Sequence, residues 1–379
     1  VLVGAIACGF RPADSARQPG EPLADLSPAE LARFTAGKAI FEREFSPAEG
    51  LGPLFNERQC SACHDLPAVG GTGAELVTRV SRFEGGRCDL LRNEGGPNIQ
   101  RHATPLLEAL HIMREEVPKS ANEIAQLVPP ALYGLGLLEA LSDEEILSHE
   151  NLRDNRGDGI TGRAARTASG RVGRFGRKAE FATIPDFIDE AIRTEIGVTT
   201  PRHPAEETMN GHPFPAGTDP AADPEVDQKT LDALADFVRM LAPPAREVAM
   251  GALRDTIARG ERLFASIGCA ACHVPSMRTG ATGKAYSARH VIYAYSDLLL
   301  HDLGPRDASV CSESAGPSVW RTAPLMGVRF RQLLLHDGRA SSVDQAILLH
   351  GGEGRRAQDA FEKLPSELRS ALVRFVRSL

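Results

Sequence analysis

Apolar side chains at three- and four-residue spacing mark two amphipathic helices, one through Leu231, Leu234, Phe237, Val238 and Leu241, the other through Leu368, Leu372, Phe375, Val376 and Leu379. Shorter helices are predicted at 105–116, 120–127 and 142–150, the last opened by Ser142-Asp143-Glu144-Glu145, which reads as a capped start. Segment 197–225 carries many prolines and no periodicity, and is predicted to be a long surface loop. At the other extreme, Val1-Leu2-Val3-Gly4-Ala5-Ile6-Ala7 is almost wholly apolar and runs into Cys8. That run resembles the end of an export segment, and Ala7-Cys8 resembles a lipobox whose Cys would carry a lipid anchor; the plainer alternative is a short apolar tail. Residues 9–25 are polar and Pro-rich and read as a tether, and no other stretch has the 18 or more apolar residues needed to span a bilayer.

The pattern repeats along the chain. Ala36-Gly37-Lys38-Ala39-Ile40-Phe41 and Arg259-Gly260-Glu261-Arg262-Leu263-Phe264 each place a Gly and a Phe four apart on one helical face. Downstream, Phe237-Val238-Arg239-Met240-Leu241 is echoed by Phe375-Val376-Arg377-Ser378-Leu379, and Pro130-Ala131-Leu132-Tyr133-Gly134 by Ala323-Pro324-Leu325-Met326-Gly327. Echoes in the same order imply duplication. The expected division is a segment at 1–25, a domain at 26–245 enlarged by an insertion at about 66–225, and a second domain at 255–379, joined through Pro243-Pro244. The expected class is mainly α, two small domains with long loops.

Between the paired echoes stand Cys60-Ser61-Ala62-Cys63-His64 and Cys269-Ala270-Ala271-Cys272-His273. The chain's own Cys and His frequencies give on the order of 0.004 accidental copies of this pattern. Its spacing is that of c-type haem attachment: two thiols bond the porphyrin edge and the next imidazole binds iron. Two covalently attached c-type haems are therefore expected, with His64 and His273 as iron ligands. A zinc site would have to join pairs about 200 residues apart and would leave both His unexplained. A dithiol centre acting through free Cys-x-x-Cys remains the alternative from another class.

Composition bounds the rest. With 379 residues there is ample core for two or three domains, and a net charge of -7 argues against nucleic-acid binding. Seven Cys, less four for haem and Cys8, leave Cys88 and Cys311, which form one disulfide in an oxidising periplasm or stay as two buried thiols. Asp154-Asn155-Arg156-Gly157-Asp158-Gly159 is similar to a calcium loop, but Arg156 stands where an acid is expected and Ala165 where a bidentate Glu should be. A Gly-rich turn is the stronger reading.

Further motifs carry a resemblance. Gly52-Pro53-Leu54-Phe55-Asn56, Gly173-Arg174-Phe175-Gly176-Arg177-Lys178, Asp297-Leu298-Leu299-Leu300-His301-Asp302-Leu303-Gly304, His336-Asp337-Gly338-Arg339-Ala340 and His350-Gly351-Gly352-Glu353 resemble the bacterial dihaem c-type oxidoreductases of the peroxidase type, also labelled thiol oxidoreductases. The C-terminal half is similar, more distantly, to dihaem cytochrome c peroxidases. The resemblance implies two cytochrome c-like haem domains and a distal ligand fourteen residues after the His-Asp-Gly turn, which lands on His350. It further implies a Glu over the N-terminal iron, for which Glu139 is the candidate, although its distance from Pro130 is longer than in the peroxidases. His102, His111 and Met113 are other candidates for that distal side. Arg174, Arg177 and Lys178 either neutralise haem propionates or form a solvated face; Trp320 and Arg321 either relay electrons or fill core. His301 and His336 are expected to brace loops through hydrogen bonds. The implied function is a periplasmic oxidoreductase: a redox partner such as a small cytochrome reduces a six-coordinate C-terminal haem held by His273 and His350, and the N-terminal haem reduces peroxide or a similar small oxidant. A pure electron carrier is the alternative if both irons are saturated.

Overall fold

The computed structural model describes residues 17–284, 286–305 and 309–379, and the backbone of 11–12, so Cys8 and its proposed anchor lie outside the described residues. Two helix pairs frame the two motifs. Helix Pro28–Phe41 packs along Gln228–Met240, and helix Gly251–Ser266 packs along Ser366–Val376. The same chemistry lets each pair approach closely. A Cβ on Gly37 would lie 2.0 Å from the Ala233 carbonyl oxygen, and one on Gly260 would lie 2.1 Å from that of Ala371. Phe41 then meets Phe237 at 4.9 Å between ring centroids, and Phe264 meets Phe375 at 5.3 Å.

The cores are not divided as cleanly as the sequence echoes suggest. One large cluster holds Phe34, Phe41, Leu137, Phe175, Ile188 and Phe237, and draws in Met277, Ile292, Leu298, Leu299 and Met326 from the second half. A smaller one holds Phe264, Tyr295, Val328, Phe361, Leu372 and Phe375. The first core is thus completed by chain from the second.

Helix makes up 32% and strand 15% of the chain, more strand than a mainly α class anticipates. The excess lies in the insertion, where strand Val77–Glu84 pairs antiparallel with Arg87–Asp89, Asn98–Ile99 and Glu123–Leu127. The helix expected at 120–127 is therefore a strand: Ala125 and Leu127 point inward while Ile124 and Gln126 are exposed, a two-residue alternation. Five residues were too few to separate that period from a helical one; pairing with Val77–Glu84 decides it. The helix expected at 105–116 stops at Glu108, and His111 follows with φ of 65°. The helix expected at 142–150 forms over Asp143–Leu147, its Ser142 hydroxyl accepting from the Glu145 amide at 3.2 Å. Segment 197–225 holds no helix or paired strand. Asp154 closes its loop by accepting from the amides of Asp158 and Gly159, both at 3.1 Å, as a turn does. Cys88 and Cys311 form a disulfide that clips the insertion's hairpin to the second half. No described helix is long and apolar enough to cross a membrane.

Candidate functional site

Each Cys-x-x-Cys-His motif lies in the wall of its own cavity. Cys60–Cys63 is one short α-helical turn after Gln59, and Cys269–Ala271 is a 3-10 turn after Gly268, whose φ of 98° sets the bend. The first cavity, about 1310 Å³ with its mouth, holds Cys60, Cys63 and His64; the second, about 1490 Å³, holds Cys269, Cys272 and His273. Phe41 sits 6.2 Å from the His64 ring and Phe264 sits 6.2 Å from that of His273, each at 54°. The two sites are built alike down to this contact.

The imidazoles are oriented as metal ligands are. His64 donates Nδ1–H to the Gly71 carbonyl at 3.0 Å, and His273 donates Nδ1–H to that of Tyr295 at 2.9 Å. In both rings this leaves Nε2 as the nitrogen with the lone pair. Burial pushes the His64 pKa down and takes that of His273 to about 4, so both stay neutral at ordinary pH. None of the four motif cysteines is in a disulfide, and burial raises the thiol pKa of Cys60, Cys63 and Cys269 to about 12 and that of Cys272 in the same direction. Thiols so protonated are poor nucleophiles, which disfavours the dithiol alternative.

The cavities differ in what else they hold. His350 lines the second and donates Nδ1–H to the Ala346 carbonyl at 2.8 Å, the same tautomer as the two motif histidines. In the first, His64 is the one imidazole among the described lining residues, and no Met joins it. His102, His111 and Met113 are exposed and line neither cavity.

Glu139 does not reach the first cavity either. Its carboxylate accepts from Arg239 Nε at 2.6 Å and from the Ile184 amide at 2.8 Å, tying three elements together. Three acids do line the cavity: Glu57 and Glu190 are paired with arginines, and Glu195, on a single π-helical turn at Ile192–Ile196 that follows helix Ile184–Ala191, is held by amides instead. Asn56 and Asn98 each donate a side-chain amide to it, at 2.7 and 2.6 Å. Burial raises its pKa, and the two amides only partly offset that. Nothing in the local sequence distinguishes Glu195 from other acids; Asn56, in the Gly52-Pro53-Leu54-Phe55-Asn56 motif, was the available signal.

The basic cluster at 174–178 is not a solvated face. Arg174 is buried against Asp143 and the carbonyls of Glu139 and Leu141, and Lys178 against those of Gly316, Pro317 and Val319. The Lys178 ammonium lies 3.7 Å from the centre of the Trp320 ring, which stacks on His336 at 3.7 Å. Trp320, Arg321, His301 and His336 all line the second cavity. His301 does brace its loop, between Asp297 at 2.9 Å and Glu353 at 2.8 Å, with Cys272 Sγ at 3.6 Å. Burial lowers its pKa, but hydrogen bonds with Asp297, Cys272 and Glu353 outweigh burial and hold it up to about 12, which favours the imidazolium form.

These residues suit a haem: paired thiols beside an imidazole of fixed tautomer, mainly apolar walls, and buried guanidinium nitrogens at Arg177 and Arg331 that lack a protein partner. The chain matches the family described as "Di-haem oxidoreductase, putative peroxidase" over residues 3–82 and 124–379. Among solved structures it is similar to hydrazine synthase of Kuenenia stuttgartiensis, with 13% identity over 100% of this chain and 99% of that one and a TM-score of 0.42. It is also similar to the diheme peroxidase BthA of Burkholderia thailandensis, with 14% identity over 98% of this chain and 94% of that one and a TM-score of 0.37. No curated protein matches the chain.

Proposed function

This chain belongs to the di-haem oxidoreductase family, and from that premise we propose that it is a peroxidase-type enzyme with two unlike c-type centres. When bound, the haems supply redox-active iron; the protein decides which iron is open to substrate. The reading is carried by one asymmetry: a second imidazole, His350, lines the C-terminal cavity, while the N-terminal cavity has Glu195 and no second His or Met among its described lining residues.

In this reading Cys60 and Cys63 hold one haem and His64 its iron; Cys269 and Cys272 hold the other, with His273 and His350 as axial ligands. A centre closed by two imidazoles suits electron entry from a donor such as a small cytochrome, because ligation changes little with charge. The N-terminal cavity then receives peroxide or a similar oxidant. Glu195, held by Asn56 and Asn98, would take a proton from one oxygen of the peroxide in this cavity and return it to the other, leaving oxygen, while the haems would supply the electrons. Glu139 is left with a structural role. We place the protein in the periplasm, since covalent haem attachment and the Cys88–Cys311 disulfide both suit an oxidising compartment, and keep a lipid anchor at Cys8 as part of the proposal.

The test is spectroscopic. Exported, purified protein should carry haem that survives denaturation, two haems per chain, and ferric EPR signals of one low-spin and one high-spin iron. Peroxide should shift the visible spectrum of the high-spin centre. Two low-spin irons indifferent to peroxide would replace this reading with the electron-carrier one, and colourless protein with alkylatable motif thiols would remove the haems altogether.

A further inference from the structure

Among the described residues, Arg177 alone lines both large cavities. It also lines a smaller cavity with Pro130, Phe175, Pro324 and two further arginines, Arg321 and Arg331, which themselves line the C-terminal cavity. Three guanidinium groups thus converge where the two sites adjoin. They repel one another: burial and then the charges of Arg331 and Arg321 bring the Arg177 pKa down to about 9, and burial brings Arg321 and Arg331 to about 10.

Their protein partners are neutral. Arg177 donates through Nη2 to the Val128 carbonyl, Arg331 through Nη2 to that of Pro324 at 3.1 Å, and Arg321 through Nε to that of Gly176 at 2.9 Å. The Nε of Arg177 and the Nε of Arg331 are buried with no hydrogen-bond partner. None of the three forms an ion pair with a carboxylate among the described residues. Other shielded arginines of this chain do: Arg174 with Asp143, Arg193 with Glu190 and Glu207, and Arg239 with Glu139 and Asp236. Enclosed like charges with unfilled donors call for an anion. The planar guanidinium matches a carboxylate.

We propose that Arg177 is a shared anchor for the propionate carboxylates of both haems, with Arg321 and Arg331 serving the C-terminal haem, so that one side chain sets the electrostatics of both irons. The inference rests on the two-haem reading above. Arg177 acts here as a positioning and tuning residue. A cation beside a propionate favours the reduced, more negative centre, so removing it lowers the midpoint potential.

Spectroelectrochemical titration of the intact holoprotein resolves two midpoints and tests this directly. In R177Q both midpoints should fall, each by about tenfold in the one-electron equilibrium, ~59 mV. In R331Q only the C-terminal midpoint should fall. R177K, which keeps the charge but not the fork, should recover most of both potentials while shifting the propionate-bending bands of both haems in resonance Raman spectra. An R177Q protein in which one midpoint or neither moves overturns the shared anchor. Should R177Q not fold, R177K decides: propionate bands unchanged at either haem overturn it as well. Haem content and the peroxide response of the unaltered protein are read separately, so failure of the enzyme reading is not confused with failure of this one.

Discussion

At the scale of single residues, burial and orientation separate chemistry from scaffolding. Glu195 and Glu139 are both carboxylates near the N-terminal motif, yet one is offered to a cavity by two amides and the other is consumed by Arg239 and the Ile184 amide. Glu195→Gln is expected to lower peroxide turnover by about 10²–10³-fold with little change in thermal unfolding. Glu139→Gln is expected to do the reverse, costing about 1–2 kcal/mol of stability and leaving turnover within threefold. Because burial raises the Glu195 pKa, the acid limb of kcat/KM should lie above the ordinary carboxylate range. Activity should rise with pH through that limb as the base form appears, and the limb should vanish in Glu195→Gln. At the other centre, His350→Ala should turn a low-spin ferric signal high-spin; an unaltered spectrum would take His350 off the iron.

Helix pairs and loops have their own consequences. Gly37 and Gly260 lie where helices cross too closely for a side chain, with carbonyl oxygens of Ala233 and Ala371 at 2.0 and 2.1 Å from a would-be Cβ. Gly260→Ala is therefore expected to destabilise by about 1–3 kcal/mol in denaturant unfolding, and to disturb the Phe264 contact with His273. Gly283, with open space around it, is the control that should tolerate Ala. In the 197–225 loop, Glu206, Asp219, Asp223 and Glu225 gather their carboxylates within 4.8 Å. Burial and mutual repulsion raise Glu206 to about 9 and Glu225 to about 7. Raised carboxyl values mean the folded loop binds protons more tightly than the unfolded chain, so its stability is full below the ordinary carboxylate range and declines as pH rises through about 7 to 9. Amide exchange in that loop, corrected for intrinsic rate, should grow over that window; a flat profile would show that the carboxylates are not coupled to its folding.

Over the whole molecule, two similar helix pairs are fused into one body by shared core and one covalent clip. Residues from 277–299 complete the first core, and Cys88–Cys311 joins points 223 residues apart. Replacing both cysteines by Ser is expected to lower unfolding stability by about 2–5 kcal/mol, measured under oxidising conditions, with haem content unchanged from that of the unaltered protein. An identical loss in wild type treated with reductant would confirm that the bond rather than the serines is responsible. The fusion also brings Arg177 to both cavities, which two freely moving domains would not do.

Short-range spacing was legible in the residues alone. Cys60 to His64 and Cys269 to His273 span single turns, Gly37 and Phe41 share a face with their echoes at Gly260 and Phe264, and Ser142 caps the residues just after it. Those relations are set by chain geometry within a few residues and survive any fold that forms the helix. Relations across long separations came from the folded chain. It made Glu123–Leu127 a strand by pairing it with Val77–Glu84, and set Glu195 rather than Glu139 in the wall of the N-terminal cavity, against Asn56 and Asn98. It also joined Cys88 to Cys311 and gathered Arg177, Arg321 and Arg331. Local spacing carries no information about which distant donors and acceptors will meet, because that depends on how the whole chain buries its apolar surface at once.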